Sequence, residues 1–250
     1  MSTEPTIGDA LGGALLAHLD QSEEAGVHVI ERDDGFVSSD SAGIYFSDVG
    51  GMFPIEVSAP DRARGRVLDI GAGGGRFATE LQRRGHDVVA LDVSAGCLEV
   101  CRRLGVQETF HGTVFDLLET GPEPFDTFLL MGHNIGLLGG PAQAPAFLGA
   151  LREIARPGAK VIGTNREPLA TDDPVNLAYH QMNRDRGRLP GELRIRVRWR
   201  ALATDWFDYW FLSVSELDAV AGSAGWTLVD TDYDDSNDNY LAELTLEPGS

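Results

Sequence analysis

The stretch from Val67 to Phe77, "VLDIGAGGGRF", decides how the rest of the sequence is interpreted. An apolar run that is typical of a buried strand ends in closely spaced glycines, and an amphipathic stretch, "GRFATELQRRG", follows at 75–85. Glycines between a strand and a helix let the backbone bend sharply and approach a ligand closely. We therefore predict a ligand-binding turn at the carboxyl end of a buried strand.

Strands and helices alternate regularly after this turn. We predict strands at 66–70, 87–93, 107–112, 125–132 and 159–165, and helices at 75–85, 94–105 and 142–158. This alternation is typical of an α/β fold in which helices cover both faces of a parallel sheet.

The two ends of the chain have a different pattern. A helix is predicted at 9–24 and a short strand or an arm at 27–34, within an N-terminal extension or lid of residues 1–60. The main domain is predicted to span 61–250. It includes an insert at about 166–212, with a short helix near 174–184 and a β-hairpin of 192–201 and 204–213. A helix starting at Ser213 or Ser215 and two strands complete the chain.

The spacing of the glycines distinguishes between two ligand classes. A dinucleotide-binding turn has the pattern G-x-G-x-x-G, but Arg76 stands at its third position. The pattern D-x-G-x-G-x-G is complete, with Asp69 before Gly71, Gly73 and Gly75. A carboxylate at that place would repel a pyrophosphate and suits a cationic ligand. We therefore predict that the cofactor is S-adenosyl-L-methionine (SAM), which carries an ammonium and a sulfonium but no phosphate.

A second acidic residue, Asp92, ends the next predicted strand, 21 residues after Gly71. A carboxylate at this distance accepts hydrogen bonds from ribose hydroxyls in nucleoside-binding folds. It supports a nucleoside ligand without choosing between SAM and a dinucleotide. An NAD(P)-dependent oxidoreductase is therefore the disfavoured alternative.

The segments "VLDIGAGGGRFATELQRRGHDVVALDVSAGCLEVCRRLG" and "FDTFLLMGHNIGLLGG" resemble the class I SAM-dependent methyltransferases. The resemblance is strong over about 65–165 and holds in outline over 213–248. It implies a Rossmann-like, doubly wound sheet of seven strands, mostly parallel with the last strand antiparallel. It also implies in-line transfer of the sulfonium methyl to an acceptor, which we expect to be a small molecule.

The resemblance also implies roles for single residues. Asp92 would hold the ribose, Val93 would lie beside the adenine, and the methionine part would meet Asp69 and the turn. Many family members carry an acid that reaches the adenine amine where this sequence has Thr113; Thr113, the backbone at Val114 and the later Asp116 stay open for that contact. The predicted cofactor-binding residues are Asp69, Gly71, Ala72, Gly73, Gly75, Asp92, Val93, Thr113, Val114 and Met131.

Acceptor-side residues are predicted after the fourth strand of the alternating region. His133 is the candidate general base because its ordinary pKa suits neutral pH, and Asn134 would orient the acceptor. Packing of His133 against the cofactor without any chemistry is the alternative. The aromatic and apolar residues of the N-terminal segment are expected to form a lid, namely Tyr45, Phe46, Met52 and Phe53.

The run "DWFDYWF" at 205–211 is the other candidate for acceptor recognition. Trp206 and Asp208 share one strand face, and an acid among aromatic side chains suits a cationic acceptor. A core strand or a dimer contact is the alternative. The basic run "RIRVRWR" at 194–200 places its arginines on one strand face, which predicts either a solvated surface or a binding site for an acidic small molecule.

The net charge of −19, from 20 basic and 39 acidic residues, disfavours nucleic acid and anionic membranes as partners. Cys97 and Cys101 are expected to be buried thiols, and no metal site is predicted. The polar N-terminus and the lack of a long apolar run predict a cytoplasmic protein. A homodimer stays open.

Two further alternatives keep the cofactor pocket and drop methyl transfer. In one, SAM is structural or assists another reaction on a small metabolite. In the other, the chain is a non-catalytic subunit with a degenerate pocket.

Overall fold

The computed structural model describes residues 4–22, 26–234 and 238–247. Its strands are β1 (Thr6–Ile7), β2 (Val27–Arg32), β3 (Val37–Ser41), β4 (Arg66–Ile70), β5 (Asp87–Asp92), β6 (Glu108–His111), β7 (Phe125–Leu130), β8 (Ala155–Arg166), β9 (Glu192–Trp199), β10 (Leu202–Ala203), β11 (Phe207–Trp210), β12 (Trp226–Tyr233) and β13 (Asn239–Leu246). Its α-helices are α1 (Ala10–Leu19), α2 (Ala59–Arg62), α3 (Arg76–Arg83), α4 (Ala95–Arg103), α5 (Val114–Glu119), α6 (Ala144–Glu153), α7 (Pro174–Asp185) and α8 (Val214–Ser223). Short 3₁₀ helices lie at Ala42–Phe46, Pro54–Ser58 and Asn134–Leu138.

Seven strands form the central sheet, in the order β12-β13-β8-β7-β4-β5-β6. The pairs of β4 with β5 and β7, of β5 with β6 and of β7 with β8 are parallel. The final strand, β13, runs antiparallel to both of its neighbours, β8 and β12. The predicted seven-stranded, doubly wound sheet with an antiparallel last strand is confirmed.

Successive residues of the buried strands supply two separate cores, because side chains alternate between the faces of a strand. Leu68 and Ile70 of β4 belong to one core, which is covered by α5, α6 and α8. Val67 belongs to the other, which is covered by α3 and α4. Asp69 follows Val67 at a spacing of two residues, and it therefore points to the α3 side of the sheet.

Side-chain caps fix where several helices begin. Ser94 Oγ accepts from the Cys97 N–H at the start of α4. Ser213 and Glu216 form a reciprocal capping box at the start of α8, so the first of the two predicted starts is confirmed. Thr113 and Asp116 form the same motif at the start of α5, a short helix that the sequence pattern did not predict.

The N-terminal extension and the insert combine into a second sheet. Its order is β1-β10-β9-β2-β3, and β11 also pairs with β9. The predicted hairpin is present as β9 and β11, in which Ile195 lies opposite Phe207. Strand β2 pairs with β9 from the other side, so residues far apart in sequence share one sheet.

The predicted helix at 142–158 is too long. Helix α6 ends at Glu153, and β8 begins at Ala155. Ala155 pairs with Phe125, and the register between β7 and β8 shifts after that pair. The shift accommodates Pro157 and Gly158, which takes a φ of 76°. Residues 155–158, which the sequence pattern assigned to the helix, therefore belong to strand β8.

Within the described ranges, the structure contains no helix with the length and apolar character needed to cross a membrane.

Candidate functional site

The glycine turn lies between β4 and α3, and its backbone requires glycine. Gly71, Gly73 and Gly75 have φ values of 71°, 55° and 76°, a region that other residues rarely adopt. A Cβ on Gly75 would lie 2.9 Å from the Cys101 Sγ of α4. The N–H of Gly71 donates to the carbonyl of Leu91 over 2.8 Å, which ties the turn to the end of β5. The turn is therefore a rigid cradle at the carboxyl edge of the sheet.

Asp69 lies beneath this turn and is 3% exposed. Its Oδ2 accepts a hydrogen bond from the Ala78 N–H in the first turn of α3, over 3.1 Å. Burial raises the pKa of Asp69 to about 7, although Arg76 and the Ala78 N–H act against the shift. The carboxylate is thus aimed at α3, and its predicted contact with a methionine group stays a prediction.

Asp92 ends β5 and lies beside the turn. Its Oδ2 accepts from the Gly73 N–H over 2.9 Å, and its Oδ1 accepts from the Ser94 N–H over 2.8 Å. Burial raises the pKa of this carboxyl, and the backbone hydrogen bonds oppose the shift. The structure therefore brings Asp92 into direct contact with the glycine turn, and its role at a ribose stays a prediction.

The residues predicted for the adenine side differ in exposure. Val93 is 67% exposed, whereas the Val114 side chain is buried in the core that α5, α6 and α8 cover. The Thr113 N–H and hydroxyl both donate to Asp116 Oδ2, over 2.8 and 2.7 Å. The Asp116 carboxylate that the sequence left open for adenine is therefore engaged in capping α5.

The segment after β7 braces the turn from the other side. Met131 is buried, and Asn134 Nδ2 donates to the carbonyls of Ile70 and Gly71 over 3.1 and 3.0 Å. The Asn134 amide group therefore holds the glycine turn in place. Its role in orienting an acceptor stays a prediction.

His133 occupies a left-handed backbone position, with φ 67°, at the same edge. Its Nε2 lies 2.8 Å from Asn239 Oδ1, and Asn239 Nδ2 donates to Asp234 Oδ2 over 2.6 Å. Since the amide oxygen can only accept, Nε2 carries the proton and Nδ1 keeps the lone pair. The Phe53 ring packs against the imidazole at 4.1 Å between centroids. Burial lowers the pKa of His133 to about 4, so the ring is neutral at pH 7. The ordinary pKa for which the sequence analysis chose His133 as a base is therefore not the pKa of this buried ring.

The predicted lid residues lie over this edge. The Tyr45 ring is 3.1 Å from the point that a Cβ on Gly73 would occupy, and the Tyr45 carbonyl contacts Gly74 in the same way. The Met52 Sδ lies 3.8 Å from Arg76 Nη2. Tyr45 therefore covers the glycine turn, Met52 covers Arg76, and Phe53 covers His133.

Trp206 and Asp208 lie on a different surface. The Arg196 guanidinium stacks on Trp206 at 4.6 Å, and Arg194 Nη1 is 2.9 Å from Asp208 Oδ1. Arg196 also pairs with Glu31 of β2. Arg194 and Arg196 thus share an ion-paired face of the second sheet with both predicted acceptor residues, and the structure does not bring this face together with the glycine turn. Arg200 lies beyond the end of β9, so the predicted face does not extend to it.

Tyr209, which the sequence did not single out, faces the site from β11. Its hydroxyl donates to the His133 carbonyl over 2.6 Å. Burial raises the pKa of Tyr209, which keeps the phenol protonated.

An ion pair between Glu56 and Arg76 was also missed by the sequence. Glu56 is 0% exposed, and it accepts hydrogen bonds from the Gly132 N–H over 2.6 Å, from the Thr164 hydroxyl over 3.3 Å and from Arg76 Nη2. Arg76 Nη1 is buried and has no hydrogen-bond partner among the described residues. The position of Arg76 directly after Gly75 could have indicated that it lies at the site, whereas no motif near Glu56 indicated this for its side chain.

Comparisons with known proteins agree with this geometry. Residues 67–158 match a family described as a methyltransferase domain. A ubiquinone biosynthesis O-methyltransferase from Roseobacter denitrificans is 31% identical over 143 residues, covering 54% of this chain and 56% of the relative. One from Dinoroseobacter shibae is 31% identical over 120 residues, covering 45% and 47%. The chain thus spans about half the length of the curated relatives it matches.

The solved structures show the fold over nearly the whole chain. A SAM-dependent methyltransferase from Bacteroides fragilis, in complex with S-adenosyl-L-homocysteine (SAH), superposes with a TM-score of 0.80 at 23% identity and covers 98% of this chain and 100% of that one. The CcbJ methyltransferase from Streptomyces caelestis has a TM-score of 0.55 at 17% identity, over 75% and 90% of the two chains. The resemblance seen in the sequence is confirmed: residues 67–158 match a methyltransferase domain, and the chain has the fold of the class I SAM-dependent methyltransferases.

Proposed function

We propose that this chain transfers the methyl group of SAM to a small-molecule acceptor. The observation that carries the proposal is the glycine cradle with Asp92 hydrogen-bonded to its centre at Gly73. A carboxylate beside a turn that permits close backbone approach fits the ribose of a nucleoside. The exposed Val93 side chain, next in the chain, supplies an apolar contact for a base.

The charges around the cradle favour SAM over a dinucleotide. Asp92 and Glu56 are buried at or next to the turn, where a diphosphate would meet two carboxyl groups, and Asp69 lies beneath the turn with its Oδ2 bonded to α3. Arg76 is the cation that pairs with one of them. A ligand with a positive sulfur and an ammonium is attracted by the same groups.

When bound, SAM supplies a methyl group on a sulfonium sulfur, which is a good leaving group. The chain's part is therefore to align the acceptor and exclude water. Tyr45, Met52 and Phe53 cover the carboxyl edge of the sheet, which is suited to that exclusion. Asn239 fixes the tautomer in which His133 Nδ1 holds a lone pair, and this nitrogen can accept the acceptor's proton as a weak base, since burial lowers its pKa to about 4.

The acceptor we propose is a neutral or cationic small molecule. A net charge of −19 disfavours nucleic acid and anionic membrane surfaces. The curated relatives are O-methyltransferases, so hydroxyl compounds are the first acceptors to test, although the match covers about half of this chain. The buried free thiols of Cys97 and Cys101 support a reducing compartment such as the cytoplasm.

Isothermal titration calorimetry with SAH and with NADH tests the proposal. We expect SAH to bind and NADH to give no binding heat; the reverse result would refute the proposal. Transfer of a labelled methyl group from SAM into a panel of phenols, alcohols and amines then tests catalysis. If SAH binds and no panel member is labelled, the cofactor-binding alternatives without methyl transfer gain support.

A further inference from the structure

The buried pair of Glu56 and Arg76 lies where three elements of the carboxyl edge meet. Arg76 opens α3 directly after the glycine turn, Gly132 follows β7, and Thr164 belongs to β8. Glu56 reaches all three from the 3₁₀ helix Pro54–Ser58. The pair therefore stands beside the cradle, at the end of the site that lies away from Val93.

The hydrogen-bond capacity of the pair is not exhausted. A carboxylate has about four acceptor positions, and the Gly132 N–H, the Thr164 hydroxyl and Arg76 occupy three at Glu56. Arg76 uses Nη2 for Glu56, while Nη1 is buried without a partner among the described residues. Leaving a buried charged donor unpaired is unfavourable, so an orphaned guanidinium nitrogen indicates a ligand acceptor.

The unused hydrogen-bond donor of Arg76 and the unused acceptor position of Glu56 indicate which chemical group would fit between them. An open donor on a guanidinium and an open acceptor on a carboxylate complement a group that carries both a carboxylate and an ammonium. The α-amino-acid end of a ligand is such a zwitterion, and arginine is suited to carboxylates by its planar fork. Asp69, for which the sequence predicted the methionine contact, turns its Oδ2 to the Ala78 N–H of α3.

We propose that Arg76 and Glu56 form a two-charge clamp for the α-amino-acid group of the cofactor. Arg76 Nη1 donates to the ligand carboxylate, and Glu56 accepts from the ligand ammonium. This inference rests on the proposed function and identifies the residues that recognise one end of SAM. The competing interpretation is a structural latch, in which the ion pair only fastens the Pro54–Ser58 helix to the sheet.

A truncated ligand separates the two interpretations. SAH carries the amino-acid group, whereas 5′-methylthioadenosine keeps the nucleoside and the thioether and lacks that group. Calorimetry measures both ligands on the wild type and on Arg76→Met. We expect SAH to bind the wild type about 100-fold more tightly than 5′-methylthioadenosine. Arg76→Met should weaken SAH binding by about 10- to 100-fold and change the affinity for 5′-methylthioadenosine less than about 2-fold.

Further variants guard against a folding defect. Arg76→Lys keeps the charge but loses the fork, and it should weaken SAH binding less than Arg76→Met does. Glu56→Gln should also weaken SAH binding selectively. Arg62→Met, which removes a surface arginine paired with Asp230 and Asp232, is the matched control and should change neither affinity.

The outcomes are distinct. Loss of affinity confined to SAH supports the clamp. An equal loss for both ligands, or no loss for SAH, in folded Arg76 variants overturns it and leaves the proposed function intact. A wild-type chain that ignores SAH would overturn the proposed function itself, and the clamp with it.

Discussion

Replacement of Asp69 by asparagine should make the protein more stable, by an amount that grows with pH. The carboxyl group is 3% exposed, and burial raises its pKa from 3.8 to about 7. Between these values the folded chain holds a proton that the unfolded chain releases, so the wild type loses stability as pH rises through this window. The asparagine side chain of the variant cannot ionise, and its amide oxygen can still accept from the Ala78 N–H.

The size of the effect follows from the shift. A shift of about 3 pKa units, at about 1.4 kcal/mol each, lowers the unfolding free energy of the wild type by about 4 kcal/mol at pH 8. At pH 5 the folded carboxyl is protonated, and the raised pKa lowers the unfolding free energy of the wild type by about 2 kcal/mol. The stability difference between Asp69→Asn and the wild type should therefore grow by about 2–3 kcal/mol from pH 5 to pH 8.

Urea unfolding of both proteins at pH 5, 6, 7 and 8 measures this difference. His133 has the opposite linkage, because its lowered pKa makes stability fall as pH falls from about 6.5 towards 4, and its contribution cancels in the comparison. Asp218→Asn, on the exposed side of α8, controls for the loss of one negative charge. A difference that stays constant with pH, or an Asp69→Asn variant less stable than the wild type at pH 8, would refute the reasoning.

Three other predictions concern the same edge of the sheet. Gly75→Ala should lower the free energy of unfolding by about 1–3 kcal/mol in urea titrations, because of its φ of 76° and the clash with Cys101; an unchanged midpoint would contradict this. His133→Ala should reduce kcat at least about 100-fold and leave SAH affinity unchanged in calorimetry, and undiminished turnover would remove His133 from the base role. Tyr209→Phe should cost about 1–2 kcal/mol of stability through loss of the buried bond to the His133 carbonyl, whereas Tyr233→Phe, at a half-exposed side chain, should cost less; equal costs would count against the Tyr209 argument.

The alternating elements could be predicted because their signals are local. The apolar strand at 66–70, the glycines after it and the amphipathic helix that follows each depend on a few adjacent residues. Asp92 was found in the same way, because its spacing from the turn is set by one helix and one strand. The antiparallel last strand came from the family resemblance and not from the pattern itself.

The parts that could not be predicted depend on contacts between distant segments. Nothing near Glu56 indicates that its side chain is buried against Arg76, because the partner lies 20 residues further along the chain. The strand period placed Trp206 and Asp208 on one face, but only the pairing with β9 shows that this face carries Arg194 and Arg196.

The second sheet joins the N-terminal extension to the 166–212 insert, so each segment supplies strands that the other needs for pairing. Strand β2 obtains its partner β9 only after about 160 more residues have been synthesised, so the second sheet is completed late in translation. A chimaera that exchanged the 166–212 insert alone would leave β2 with an unmatched edge. Replacing either segment with that of a homologue should therefore require both segments to be exchanged together.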